Sequence, residues 1–381
     1  MICIENAKVV LENGILFDGV VLVDGERIAA VGAAGEVRIP ADARRIDAGG
    51  AYVGPGFVDI HVHGGNGYMF DTDPENAAAY FLQHGETSIL ATLYYDLSKP
   101  EFMAATRRVQ QVMANTEAGK AIVGCYMEGP YMNPRFGASP EKNKWKGEIK
   151  AEDYTQIVDC AGATAKVWAV APEREGVEPF MAYAKQVNPD VVFAVGHSEA
   201  SPTQVRHVRK YGIRIMTHCM NATHRVNPWA GTRGSGPDEY CFLDGDMYAE
   251  MICDSMGVHV NADLQRMILH NKGVDKVILI TDSFVSHLDS PDDLRHVTDL
   301  SFDAGRNLCG SRLTMDMCCR NIMRHTNCGI AQAFLMASRN PARAIGIDDE
   351  VGTVEVGKLA NLVFVDDVFH VQKVMLAGSF I

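Results

Sequence analysis

Apolar and polar positions alternate in short stretches at both ends of the chain and gather into denser apolar runs between them. The opening stretch, "AKVVLENGILFDGVVLVDGERIAAVG", breaks its apolar segments at Asn13-Gly14 and Asp24-Gly25. Such pairs favour tight hairpin turns, so the segments predict antiparallel strands. The closing stretch, "GTVEVGKLANLVFVDDVFHVQKVMLAGSFI", has the same rhythm. Neither end holds enough apolar surface to stand alone. Together they predict one small discontinuous β-sandwich domain, built from residues 1–52 and 351–381.

Residues 53–350 follow another pattern. Apolar runs recur, each followed by a helical stretch: "GFVDIHVH", "TSILATLY", "AIVGCYMEGP", "AKVWAVAPE", "VVFAVGHSE", "IRIMTHCMN", "AEMICDSMG" and "KVILITDS". Strands alternating with helices indicate βα units and a parallel sheet. These eight runs predict an α/β protein with a (β/α)8 TIM barrel. A doubly wound open sheet is the alternative, but no glycine fingerprint follows the first strand. In "LTMDMCCRNIMRHTNCG" the Met and Cys residues fall at helical spacing and read as core.

Polar residues collect where the runs stop. The first ends in His61 and His63, the third in Glu128, the fifth in His197, the sixth in His218 and the eighth in Asp282. Side chains two apart on a strand share a face, so His61 and His63 point together. A barrel brings its C-terminal strand ends to one mouth. Four histidines and two carboxylates there suit one or two divalent metal ions. Each position also has a plain structural reading. His197 with Ser198 fits a helix entry, His218 a satisfied buried histidine, Glu128 a turn carboxylate and Asp282 a helix cap. All of them falling at strand ends favours the metal site. "GGNG", from Gly64 to Gly67, reads as a tight loop.

Composition narrows the partners. The chain has 381 residues, 47% hydrophobic and 22% charged, as globular proteins do. Its formal net charge of −13 argues against nucleic acid and anionic membranes, both polyanions. The N-terminus shows no basic segment leading into an apolar core, and no apolar run reaches membrane-spanning length. The ten cysteines form no C-x-x-C pair and read as reduced thiols. The expectation is a cytoplasmic protein acting on a small molecule.

His-x-His after "PGFVD", with β segments at both ends, resembles the amidohydrolase superfamily. "MEGPYMNP", "GHSEA", "THCMNA", "GVHV", "LITDS", "CGSRLTMD" and "NPARAIGI" resemble, in order, the N-acetylglucosamine-6-phosphate deacetylases within it. The resemblance implies a metal-dependent hydrolase that releases acetate from an N-acetyl amino sugar phosphate. It implies that Glu128, His197 and His218 bind the main metal and that His61 and His63 bind a second. Zinc is the first choice of metal, with iron, manganese or cobalt also suited. Asp282 would be the catalytic acid and base. Asn221, the Ala222 backbone, Arg233 and His259 would contact the sugar phosphate. Relatives often bring that arginine from a second subunit, which implies a homodimer. Other N-acyl amines or cyclic amides are the alternative substrates, and a non-catalytic metal-binding homologue is a further alternative.

The chain departs from the family at three places. Phe136 and Ser139 stand where relatives carry a lysine and a histidine, the latter helping to polarise the substrate carbonyl. The loop around Arg233 reads "TRGSGP", and the segment after Asp282 lacks the usual small residues. The hydrolytic residues are all present, while the substrate-reading segments differ.

Overall fold

The computed structural model describes residues 1–225, 229, 231–288 and 290–381. All eight apolar runs form parallel strands, in one sheet whose order follows the sequence. They are β1 (Phe57–Val62), β2 (Glu86–Tyr94), β3 (Ile122–Glu128) and β4 (Ala165–Val170). Then come β5 (Val192–Val195), β6 (Ile213–Met216), β7 (Tyr248–Ile252) and β8 (Val277–Ile280). The sheet closes just beyond the last strand: Asp282 N donates to His61 O at 2.9 Å, and His63 N donates to Ser283 O at 2.9 Å. This is the (β/α)8 barrel that the run pattern predicts.

A helix follows each strand: α1 (Pro74–Gln83), α2 (Lys99–Asn115), α3 (Ala151–Ala161), α4 (Val177–Val187), α5 (Pro202–Val208), α6 (Pro237–Leu243), α7 (Ala262–Lys272) and α8 (Met315–Thr326). Local sequence sets their starts. Asp73 precedes Pro74 and accepts from Asn76 N, and Ser201 and Gln204 form a reciprocal capping box ahead of α5. Because helices cover the outside and side chains fill the inside, β1 is buried at every position. On α8 the expected core face is Met315, Cys318, Cys319 and Ile322.

The chain ends form one connected eight-stranded sheet, separate from the barrel. Strand Ile2–Leu11 pairs with Gly14–Asp24 on one side and with Arg44–Asp47 and Tyr52–Pro55 on the other. Tyr52–Pro55 also pairs with Leu362–Val365, which joins the two ends. The sheet curls back on itself: Ile28 N donates to Lys358 O at 2.9 Å and Ala360 N to Glu26 O at 2.7 Å. Its inner side chains, among them Ile4, Val21, Ile28, Phe364 and Met375, make their own core. The sheet docks on the barrel through the rings of Phe57, Phe334 and Phe369, whose centroids lie 5.1–5.9 Å apart. Gly54 permits this approach, since a Cβ there would collide with the Phe334 ring.

Candidate active site

The strand ends do converge. Glu128, the last residue of β3, lies at the centre. Its Oε1 is 2.8 Å from His197 Nε2 and 3.2 Å from His218 Nε2. Its Oε2 is 3.0 Å from His63 Nε2 and 3.4 Å from His61 Nε2. Asp282 Oδ1 sits 3.3 Å from His63 Nε2 and 3.6 Å from His61 Nε2. All six groups are buried. They form two trios able to hold a metal, His61–His63–Glu128 and Glu128–His197–His218, sharing Glu128.

The backbone is strained here. His197, His218 and Asp282 have φ of 46°, 27° and 45°, in the left-handed region that costs about 1–3 kcal/mol for a non-glycine residue. The simpler structural readings of two of them fail. Helix α5 is capped by Ser201, four residues beyond His197, and no helix starts beside Asp282.

Electrostatics binds the cluster together. Burial would push Glu128 up, but the charge of His61 and hydrogen bonds from His197 and His218 hold it well below the usual carboxylate range. Burial opposes charge on His63 as well, yet its bonds to Asp282 and Glu128 lift it to about 9. Asp282 is likewise pushed up by burial and pulled below its ordinary value by His63 and His61. The set is thus a carboxylate pair that demands cations. His61 Nε2 and Glu128 Oε2 are buried without an aligned hydrogen-bond partner among the described residues. Imidazole nitrogens and carboxylate oxygens aimed at one point are the donor set of a divalent metal site.

Several supporting groups escaped the reading of the sequence. Glu250, inside β7, is fully buried; its Oε2 accepts from His218 N and lies 3.1 Å from His61 Nδ1. It orients the His61 imidazole, as carboxylates beside metal-binding histidines do, and holds the backbone that carries His218. A lone glutamate inside an otherwise apolar run was its signal. Glu173, just past β4, accepts from Ser198 Oγ and Glu199 N and so holds the turn that carries His197. Tyr94 ends β2 directly beside Glu128 in the strand register.

A cavity of about 690 Å³ opens over the cluster, and Asn221, Ala222 and His259 line it as expected. His259 is fixed by Asp254, 3.0 Å from its Nδ1, and by Gly310 O, 3.1 Å from its Nε2. Arg233 is exposed and stands outside this cavity's wall. Ser139 lies at the wall, but its Oγ and backbone N both point to Asp303 Oδ2 at 3.3 Å.

The amidohydrolase family profile matches residues 52–381, the whole barrel and the closing strands. The chain belongs to the amidohydrolase family. Among characterised relatives, the N-acetylgalactosamine-6-phosphate deacetylase of Escherichia coli O157:H7 is 28% identical, over 85% of this chain and 86% of its own. The N-acetylglucosamine-6-phosphate deacetylase of Vibrio furnissii is 30% identical, over 86% of this chain and 82% of its own. The crystal structure of N-acetyl-D-glucosamine-6-phosphate deacetylase from Mycobacterium smegmatis superposes with a TM-score of 0.85 at 28% identity, covering 100% of both chains. An aspartate-to-alanine variant of that enzyme, solved in complex with N-acetyl-D-glucosamine-6-phosphate, gives 0.82 at 28% identity, covering 100% of this chain and 98% of its own. No helix among the described residues is long and apolar enough to cross a membrane.

Proposed function

We propose that this amidohydrolase removes the acetyl group from an N-acetylhexosamine 6-phosphate, of which N-acetylglucosamine-6-phosphate is the pattern, yielding the amino sugar phosphate and acetate. The observation that carries the reading is Glu128 shared between two histidine pairs with Asp282 facing one of them. An amide is a poor electrophile and an amine a poor leaving group. A divalent cation supplies carbonyl polarisation and acidifies water. Glu128, His197 and His218 would hold the main cation, and His61 and His63 with Glu128 a second. Zinc suits these ligands best, and iron, manganese or cobalt also fit. Asp282 takes the proton of the attacking water and delivers it to the leaving nitrogen. Asn221, the Ala222 backbone and His259 face the sugar phosphate from the cavity wall.

Arg233 has no place in its own cavity, but a guanidinium matches phosphate oxygens in pairs. Its exposure fits a homodimer in which each subunit lends Arg233 to the other's substrate. Ten unpaired thiols fit a reducing cytoplasm. The test is product analysis with metal-reconstituted protein on N-acetylglucosamine-6-phosphate, its galactosamine epimer and both sugars without phosphate. Acetate released from a phosphorylated sugar is the expected result. Ammonia, or no acetate from any of them, overturns it.

A further inference from the structure

Attack on an amide carbonyl moves negative charge onto its oxygen, and donors already aimed at that oxygen lower the barrier. Several donors on the cavity wall are already engaged. Ser139 is committed to Asp303. His259 is committed to Asp254 and Gly310. Asn221 Nδ2 leans on His259 O at 3.4 Å. Tyr94 differs. It pairs in register with Glu128, the residue common to both metal-competent trios. Its ring stands edge-on to His63, 5.5 Å between centroids at 84°, and 6.1 Å from His197. Its side chain lines the cavity.

We propose that the Tyr94 hydroxyl is a catalytic hydrogen-bond donor to the substrate's carbonyl oxygen as that oxygen becomes negative. The ring is held for this. Tyr95 packs against it, with centroids 3.8 Å apart and planes tilted by 31°, and Tyr95 Oη donates to Ala138 O at 2.8 Å. The Tyr95 hydroxyl beside Tyr94 has therefore spent its proton and can only accept. Tyr94 Oη lies within reach of that acceptor and bonds no other described residue, so its hydrogen rests on Tyr95 until a stronger acceptor enters the cavity. Gly137 packs close here: a Cβ on it would collide with Tyr95 Oη, Tyr94 Oη and His197 Nδ1, so only glycine lets the loop pass these groups. A phenol has an ordinary pKa of about 10, so it remains a donor at neutral pH.

The chemistry needs no proton from Tyr94. The water oxygen bonds to the carbonyl carbon, the π pair moves to the carbonyl oxygen, and Tyr94 shares its hydrogen with that oxygen. Asp282 takes the water's proton and passes it to nitrogen. The C–N bond then breaks as the pair returns from oxygen, leaving carboxylic acid and amine.

This inference rests on the deacetylase reading, and its test separates the two. Tyr94→Phe keeps the ring and removes only the hydroxyl. The expected result is a kcat lowered about 10²-fold, the scale for losing one such donor, with KM and metal content near wild type. A non-hydrolysable N-methylphosphonamidate of the amino sugar phosphate, which mimics the tetrahedral carbon, should bind Tyr94→Phe about 10²-fold more weakly by calorimetry. The product amine should bind both proteins equally. If wild type turns over and Tyr94→Phe matches it, the inference falls alone. If kcat drops while the mimic binds as tightly as to wild type, Tyr94 only shapes the site and the inference also falls. If wild type itself releases no acetate, the deacetylase reading falls and takes the inference with it.

Discussion

At the scale of single residues, Asp282 carries the sharpest expectation. Its φ of 45° is one that asparagine tolerates better than most residues. Asp282→Asn therefore keeps the backbone, the shape and the contact with His63, and removes only the capacity to take a proton. The variant should fold as wild type, with equal metal content by elemental analysis. Its kcat should fall by about 10²–10⁴-fold, the usual weight of a general acid–base group. Turnover at the wild-type rate would remove Asp282 from the mechanism. Glu250 shows the complementary case: it lies off the cavity wall, but its carboxylate fixes His61 and the backbone of His218 together.

At the scale of an element, the loop after β7 is organised by one carboxylate. Asp254 is fully buried and accepts from the backbone N of Met256, Val258 and His259 and faces His259 Nδ1. Burial alone would raise its pKa. The bonds and charge of His259, with the Val258 amide, outweigh that and bring it down to about 2. A carboxylate whose folded pKa lies below its unfolded one adds stability above the unfolded value and loses it as pH falls through the folded one. The contribution is worth about 2 kcal/mol at neutral pH and fades between about pH 4 and pH 2. Asp254→Asn should accordingly lower stability in urea at pH 7 by about that amount, and its acid unfolding limb should be flatter over the same window. An unchanged acid limb would mean that the loop draws its order from elsewhere. Because this loop presents His259 to the cavity, KM should also rise.

At the scale of the whole molecule, Arg339 links the parts. It is buried and pairs with Glu12 of the terminal sheet at 3.2 Å and with Asp275 ahead of β8. Beyond one chain, the place of Arg233 makes assembly testable. Arg233→Ala and Asp282→Asn should each be nearly inactive on phosphorylated substrate. If Arg233 serves the neighbouring subunit, unfolding and refolding an equal mixture creates mixed dimers with one complete site. Activity should then return to about a quarter of wild type, the statistical share of complete sites in a two-fold assembly. No recovery in a mixture shown to exchange subunits would place Arg233 outside a shared site.

Much of this protein was legible before folding, because strand runs are short and local. Eight apolar runs, each with its helical partner, specify the barrel through periodicity alone, and hairpin pairs such as Asn13-Gly14 specify the terminal strands. The five metal-binding candidates and Asp282 were legible because each ends a run, and a parallel barrel must gather its strand ends. Tertiary structure decided what depends on distance across the barrel. Only the closed sheet puts Glu128 between two histidine pairs, and only packing turns Glu250 from a stray acid in a run into the orienting partner of His61. The place of the Tyr94 hydroxyl was invisible for the same reason: a tyrosine at a strand end is ordinary until register sets it beside Glu128. Arg233 lay in a loop whose glycines signalled freedom but not direction, so its position outside the cavity followed from the fold. Local pattern determines what each segment becomes; which polar atoms then share a few ångströms is set by long-range closure, where residues far apart in the chain exclude water together.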